Sequence, residues 1–146
     1  MLQQAKQIVR DYYQQLDGAE LDQIEAVTKG FIADPYLWRG YHPFNEQQSY
    51  KAVVSLFWQP LRQAFKHLQR REDIFMAGVN RLPEQAEDEA VWVVSMGHLM
   101  GLLDEPWLGI PATGKMTFLR YCEFHKVEGG KIVETALFFD IPHVMM

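Results

Sequence analysis

Residues 117–134, TFLRYCEFHKVEGGKIVE, read as one β-hairpin. Val127-Glu128-Gly129-Gly130-Lys131 carries the turn, because adjacent glycines supply the positive φ values that a two-residue hairpin loop needs. Upstream of the turn the residues alternate. Leu119, Tyr121, Glu123, His125 and Val127 fall on one face of a strand, and Arg120, Cys122, Phe124 and Lys126 on the other. A carboxylate and an imidazole therefore share a face with three apolar side chains.

Working outward, 131–141, 115–128, 90–102 and 74–81 are rich in β-branched and aromatic residues and read as strands. The acidic run 84–89, behind Pro83, reads as an exposed connection between two of them. The first half reads as helical. Leu2, Ala5, Ile8, Val9, Tyr12 and Leu16 recur at helical spacing, and Asp17-Gly18 ends that helix with a left-handed glycine cap. Leu21, Ile24 and Val27 mark a short second helix that stops near Gly30. Residues 31–44, FIADPYLWRGYHPF, read as an irregular aromatic cover. A third helix starts at an Asn45–Gln48 capping box stapled by Phe44, meets a kink or restart at Pro60, and continues through Ala64, Phe65 and Leu68. Helices first and strands after predict an α+β fold with helices on one face of an antiparallel sheet.

Composition narrows the function. The 146 residues suggest one domain, 1–146. Fourteen Lys and Arg against nineteen Asp and Glu give a net charge of −5, and Arg70-Arg71 is followed at once by Glu72 and Asp73, so it reads as a solvated helix end rather than a nucleic-acid stripe. No apolar run is long enough to span a membrane, and the polar start of the chain with its single cysteine, Cys122, predicts a cytoplasmic protein. The five histidines, His42, His67, His98, His125 and His143, form no metal-ligand spacing, so no metal and no cofactor is expected. Neither a nucleophile elbow nor a phosphate loop occurs; GIPATGK (109–115) leads into a strand and reads as a turn.

GIPATGK, the 117–134 hairpin and the FFD ending (138–140) together resemble the SnoaL-like polyketide cyclases, of the nuclear transport factor 2-like superfamily. Trp38, His42 and Pro43, the FWQPLRQAF helix and the SMGH strand end (95–98) extend the resemblance over nearly the whole chain. It implies a cone-shaped α+β roll, N-terminal helices packed on a curved, mainly antiparallel sheet of the cystatin-like kind. It also implies an acid/base carboxylate on the penultimate strand, seven residues before the hairpin glycine. That residue is an Asp in the family; here it is Glu123, seven before Gly130.

On this reading Glu123 abstracts a proton next to a carbonyl, with burial raising its pKa towards neutrality. His98 or His125 holds the developing oxyanion. Trp38, His42, Trp58, Asn80, Trp107, His125 and Phe139 line a hydrophobic pocket for a carbonyl-containing small molecule. Aldol-type cyclisation or isomerisation would follow. Bland readings stand beside these: Glu123 in a cross-strand ion pair, His98 as a core histidine, the tryptophans as core filler, Asn80 and Asp140 in turns, Cys122 an inert thiol. The alternative function is a non-catalytic small-molecule-binding or dimerisation module, with Arg120, Phe124 and Lys126 on a homodimer face. Hydrolysis or dehydration would need Asp73 or Asp140 beside Glu123.

Overall fold

The computed structural model describes residues 1–80 and 90–141. The acidic run 84–89 and His143 lie outside the described residues. Helix α1 (Leu2–Gly18) is followed by a 3₁₀ turn and α2 (Ile24–Phe31). Strand β1 (Ile32–Arg39) and a two-residue β2 (Glu46–Gln47) come next. A helical rod then runs through α3 (Tyr50–Val53), a π-helical turn at Val54–Trp58 and α4 (Gln59–Ala64). Four long strands close the chain: β3 (Phe65–Asn80), β4 (Ala90–Leu103), β5 (Met116–Glu128) and β6 (Lys131–Phe139). They form one mixed sheet in the order β2-β1-β6-β5-β4-β3, in which β1 and β6 are parallel and every other pair is antiparallel. The α+β architecture is as the sequence predicts.

The hairpin forms as read. Gly129 and Gly130 have φ of 57° and 78°, and Glu128 pairs with Lys131. Alternation on β5 also holds: Leu119, Tyr121, Glu123, His125 and Val127 are all buried on the inner face. Onto that face pack Ala5, Val9, Tyr12, Tyr13 and Leu16 of α1.

Four local expectations are corrected. The 31–44 stretch is not an irregular cover, because most of it is β1. Its pattern is hidden by Pro35, which sits where the pairing with β6 slips between Ile32 and Leu37 and no ladder donor is required. The third helix is capped by Ser49, whose hydroxyl accepts from the Ala52 N–H at 3.2 Å. Asn45 instead takes φ 58°, and Glu46–Gln47 pair with β1, so the capping box does not form. Gly18 is the last helical residue and Ala19 is extended, with no left-handed cap. The carbonyls at that end are taken by Arg62, whose guanidinium donates to Leu16 O at 2.9 Å and Ala19 O at 2.6 Å. Finally, the rod stops at Ala64, and Phe65 and Leu68 belong to β3. Pro60 restarts the helix just after the π-helical turn, as its missing N–H requires.

Candidate functional site

The inner face of β5 places Glu123 and His125 two residues apart, each 1% exposed. Nε2 of His125 lies 3.1 Å from Oε1 of Glu123. The Tyr13 hydroxyl, delivered from α1, donates to the same Oε1 and lies 2.8 Å from His125 Nε2. Arg70 of β3 brings its Nη1 to 3.8 Å from Oε1. Three groups from three elements therefore converge on one carboxylate oxygen. Behind them, His125 Nδ1 is 2.9 Å from Thr135 Oγ1 on β6. Arg70 is clamped by Asp17 at 2.9 Å and lies over the Tyr13 ring, 3.7 Å from its centroid. Ser95 adds a 2.8 Å hydrogen bond to the Tyr121 hydroxyl beside this group.

The electrostatics correct one expectation directly. Burial pushes the Glu123 carboxyl up, as the sequence suggests, but His125, Arg70 and the Tyr13 hydrogen bond outweigh it and hold the pKa below the usual glutamate value. The tyrosines go the other way: burial first, then the Glu123 charge, raises Tyr13, and burial followed by Tyr36 and Glu123 raises Tyr12.

Other sequence-nominated residues scatter. Ser95 stands directly opposite Glu123 in the β4–β5 ladder, so both side chains point inward, and His98, three residues on, points outward. There it lies 3.4 Å from Asp73 and edge-on to Phe118. The sheet thus separates His98 from Glu123. Asp73 is on that outer face too, and Asp140 sits past the end of β6 with its N–H on Arg120 O. Neither supplies a second carboxylate beside Glu123. Trp38, Trp58 and Trp107 are fully packed: Trp38 and Trp58 against Phe57, Trp107 against Phe65.

His42 and Phe139 do meet. With Pro43, Leu108, Ile110 and Ile141 they line a cavity of about 570 Å³ at the strand ends. Phe139 stacks on Phe57 and stands opposite Tyr121 in the ladder, one inward-facing step of roughly 7 Å short of Glu123. Asn80 lines a different cavity, about 530 Å³, with Met76, Trp92 and Phe138 on the outer face. None of these side chains reaches the carboxylate.

Two residues of the cluster escaped sequence reading. Arg70 was expected as a solvated helix end, yet its side chain is 6% exposed within β3. Tyr13 lies beside Tyr12 on a helix whose buried stripe takes both. The doubled tyrosine was the available signal. Among the described residues, no three His, Cys, Asp or Glu gather to hold a metal ion, and no helix is long and apolar enough to cross a membrane.

No protein-family model and no curated protein matches the sequence. Solved structures do match the fold. A candidate SnoaL-like polyketide cyclase from Jannaschia sp. CCS1 superposes with a TM-score of 0.74 at 16% identity, covering 99% of this chain and 93% of the other. IdmH, a candidate polyketide cyclase from Streptomyces antibioticus, gives 0.67 at 14% identity over 93% of this chain and 94% of its own. AclR, a candidate hydroxylase from Streptomyces galilaeus, gives 0.71 at 17% identity over 99% of this chain and 80% of its own. The chain therefore has the nuclear transport factor 2-like α+β fold. At these identities the likeness is one of fold.

Proposed function

We propose that this protein is an acid/base enzyme acting on a hydrophobic, carbonyl-containing small molecule, with Glu123 as the base. One observation carries the reading: Tyr13, His125 and Arg70 all bind Oε1 of a fully buried carboxylate. Oε1 is an anchor, and Oε2 is the oxygen assigned to proton transfer. The neighbours keep the carboxylate ionised and so able to accept a proton, at a cost in basicity. The C–H it takes is therefore an acidic one, such as that between two carbonyls. Oε2 takes that proton, the C–H electrons pass into the carbonyl to form an enolate, and His125 steadies the oxyanion. The enolate carbon then attacks a second carbonyl, and Glu123 returns its proton to the new alkoxide. Cyclisation of the kind named for the structural neighbours fits this chemistry. Substrate enters from the cavity at the strand ends and displaces Phe139 from Phe57. Loss of turnover with retained binding in Glu123→Gln supports the reading; unchanged turnover overturns it.

A second observation supports a homodimer through the outer sheet face. Ile74, Met76, Met96, Met116, Phe118 and Phe138 are all exposed there. A contiguous apolar sheet surface of this kind marks an interaction site. A self-association that falls about tenfold in Phe118→Asp, read by sedimentation, supports the dimer; a concentration-independent monomer contradicts it. Should wild type and Glu123→Gln bind the same compounds and neither turn any of them over, while the dimer persists, the non-catalytic binding module is the correct reading.

A further inference from the structure

Strand β3 departs from regular pairing twice. Between Lys66 and Gln69 it holds one residue more than β4 does, and between Glu72 and Ile74 it does so again. Each β-bulge inverts the inside–outside alternation. Phe65 faces inward, so an unbroken strand would send Arg70 outward. The first bulge, where His67 takes φ 54°, reverses this and sends Arg70 inward. The second restores the original phase, so that Phe75 opposite Ser95 is again inside. Gly97 lies opposite Glu72 where the strands crowd. A Cβ there would fall 1.9 Å from the Arg71 carbonyl oxygen. Two bulges and one glycine thus bring an arginine into the core at the middle of a strand.

The inserted guanidinium has specific neighbours. Asp17 holds it through Nε at 2.9 Å and Nη2 at 3.4 Å. The rings of Tyr13 and Tyr121 lie 3.7 and 5.0 Å from it. Its remaining arm points at Glu123 Oε1. Burying an arginine is costly unless its charge is used. We propose that the double bulge of β3 exists to fix Arg70 as the counter-charge of Glu123, making Arg70 the positioning residue of the base. This rests on the reading of Glu123 as the base. The titratable and charged groups around that carboxylate are Tyr12 and Tyr13 from α1, Tyr36 from β1, Arg70 from β3 with Asp17 of α1 behind it, Glu72 of β3 on the hydroxyl of Ser95 opposite, and Tyr121 and His125 from β5. Arg70 is the permanently charged one among them, so its charge faces Glu123 at every pH while that of His125 depends on protonation.

The test is a pH titration of the Glu123 side-chain carboxyl by ¹³C NMR in the full-length protein, in wild type, Arg70→Met and Arg70→Lys. Removing a charge at this distance raises the midpoint by about one unit or more, a tenfold gain in proton affinity. Arg70→Lys retains most of the wild-type value. A folded Arg70→Met protein with an unmoved midpoint overturns the proposal. Should Arg70→Met fail to fold, the Arg70 side-chain ¹⁵N resonances are compared at pH 7 between wild type and Glu123→Gln. A clear shift on loss of the carboxylate charge supports the pairing, and unchanged resonances overturn it. Neither readout involves turnover, so the two failures are distinguishable: inactivity on every carbonyl compound removes the base, while an unmoved titration or unshifted resonance removes the Arg70–Glu123 pairing.

Discussion

Nε2 of His125 sits 3.1 Å from Oε1 of Glu123, two residues away on one strand, with neither side chain reached by solvent. Such a carboxylate is stable in the interior only because its charge is answered. Tyr13 and Arg70 satisfy the carboxylate, and Thr135 satisfies the far nitrogen of the imidazole.

Acid stability follows from the carboxylate. Its folded-state pKa is below the ordinary glutamate value of 4.5, so it contributes stability that is complete above that value. The contribution drains as pH falls through the lowered folded value. Glu123→Gln leaves His125 facing a neutral amide and Arg70 with Asp17 as its remaining carboxylate, and costs about 3 kcal/mol at neutral pH. Urea denaturation at pH 7, repeated down to pH 3, shows this loss and a flatter acid limb in the variant. A variant as stable as wild type at pH 7 contradicts the network.

Alkaline behaviour has the opposite sign. Burial raises the hydroxyls of Tyr12, Tyr13, Tyr36 and Tyr121, so the fold favours their neutral forms. Their contribution is intact below pH 10 and is lost as pH rises above it. Absorbance at 295 nm, followed against pH, shows these four ionising together with loss of the folded circular-dichroism signal. Smooth ionisation of all tyrosines in a still-folded protein contradicts their placement.

Gly97→Ala separates crowding from propensity. The added methyl meets a backbone carbonyl that has no flexible end to move, and the cost is about 3 kcal/mol. At Gly101 the nearest atoms are 3.1 to 3.3 Å away, so the same substitution there costs less. Thermal denaturation of the two variants ranks them; equal losses contradict the bulge geometry.

Period-two alternation and the Gly129-Gly130 turn made β5 and β6 legible, and with them the shared face of Glu123 and His125. What alternation cannot show is phase after an interruption. Pro35 hid β1, and the two bulges hid the inward turn of Arg70, which by charge patterning looked solvated. His98 was misplaced relative to Glu123 for a related reason: each strand's faces were readable, but the register that sets Ser95 opposite Glu123 was not. Tyr13 reaches the site from 110 residues away in sequence, a distance at which only packing of α1 on the sheet brings partners together. Trp38, Trp58 and Trp107 were read as pocket lining with core filling as the alternative, and they pack in the interior, a distinction that residue type alone does not make.

The most direct test of Glu123 as a base is exchange of carbon-bound protons. A panel of hydrophobic ketones and 1,3-dicarbonyl compounds is incubated with the protein in deuterium oxide, and loss of the α-proton signal is followed by NMR. The account predicts exchange of at least one compound by wild type and a fall of about 100-fold or more in Glu123→Gln. Equal exchange by the two proteins would contradict it.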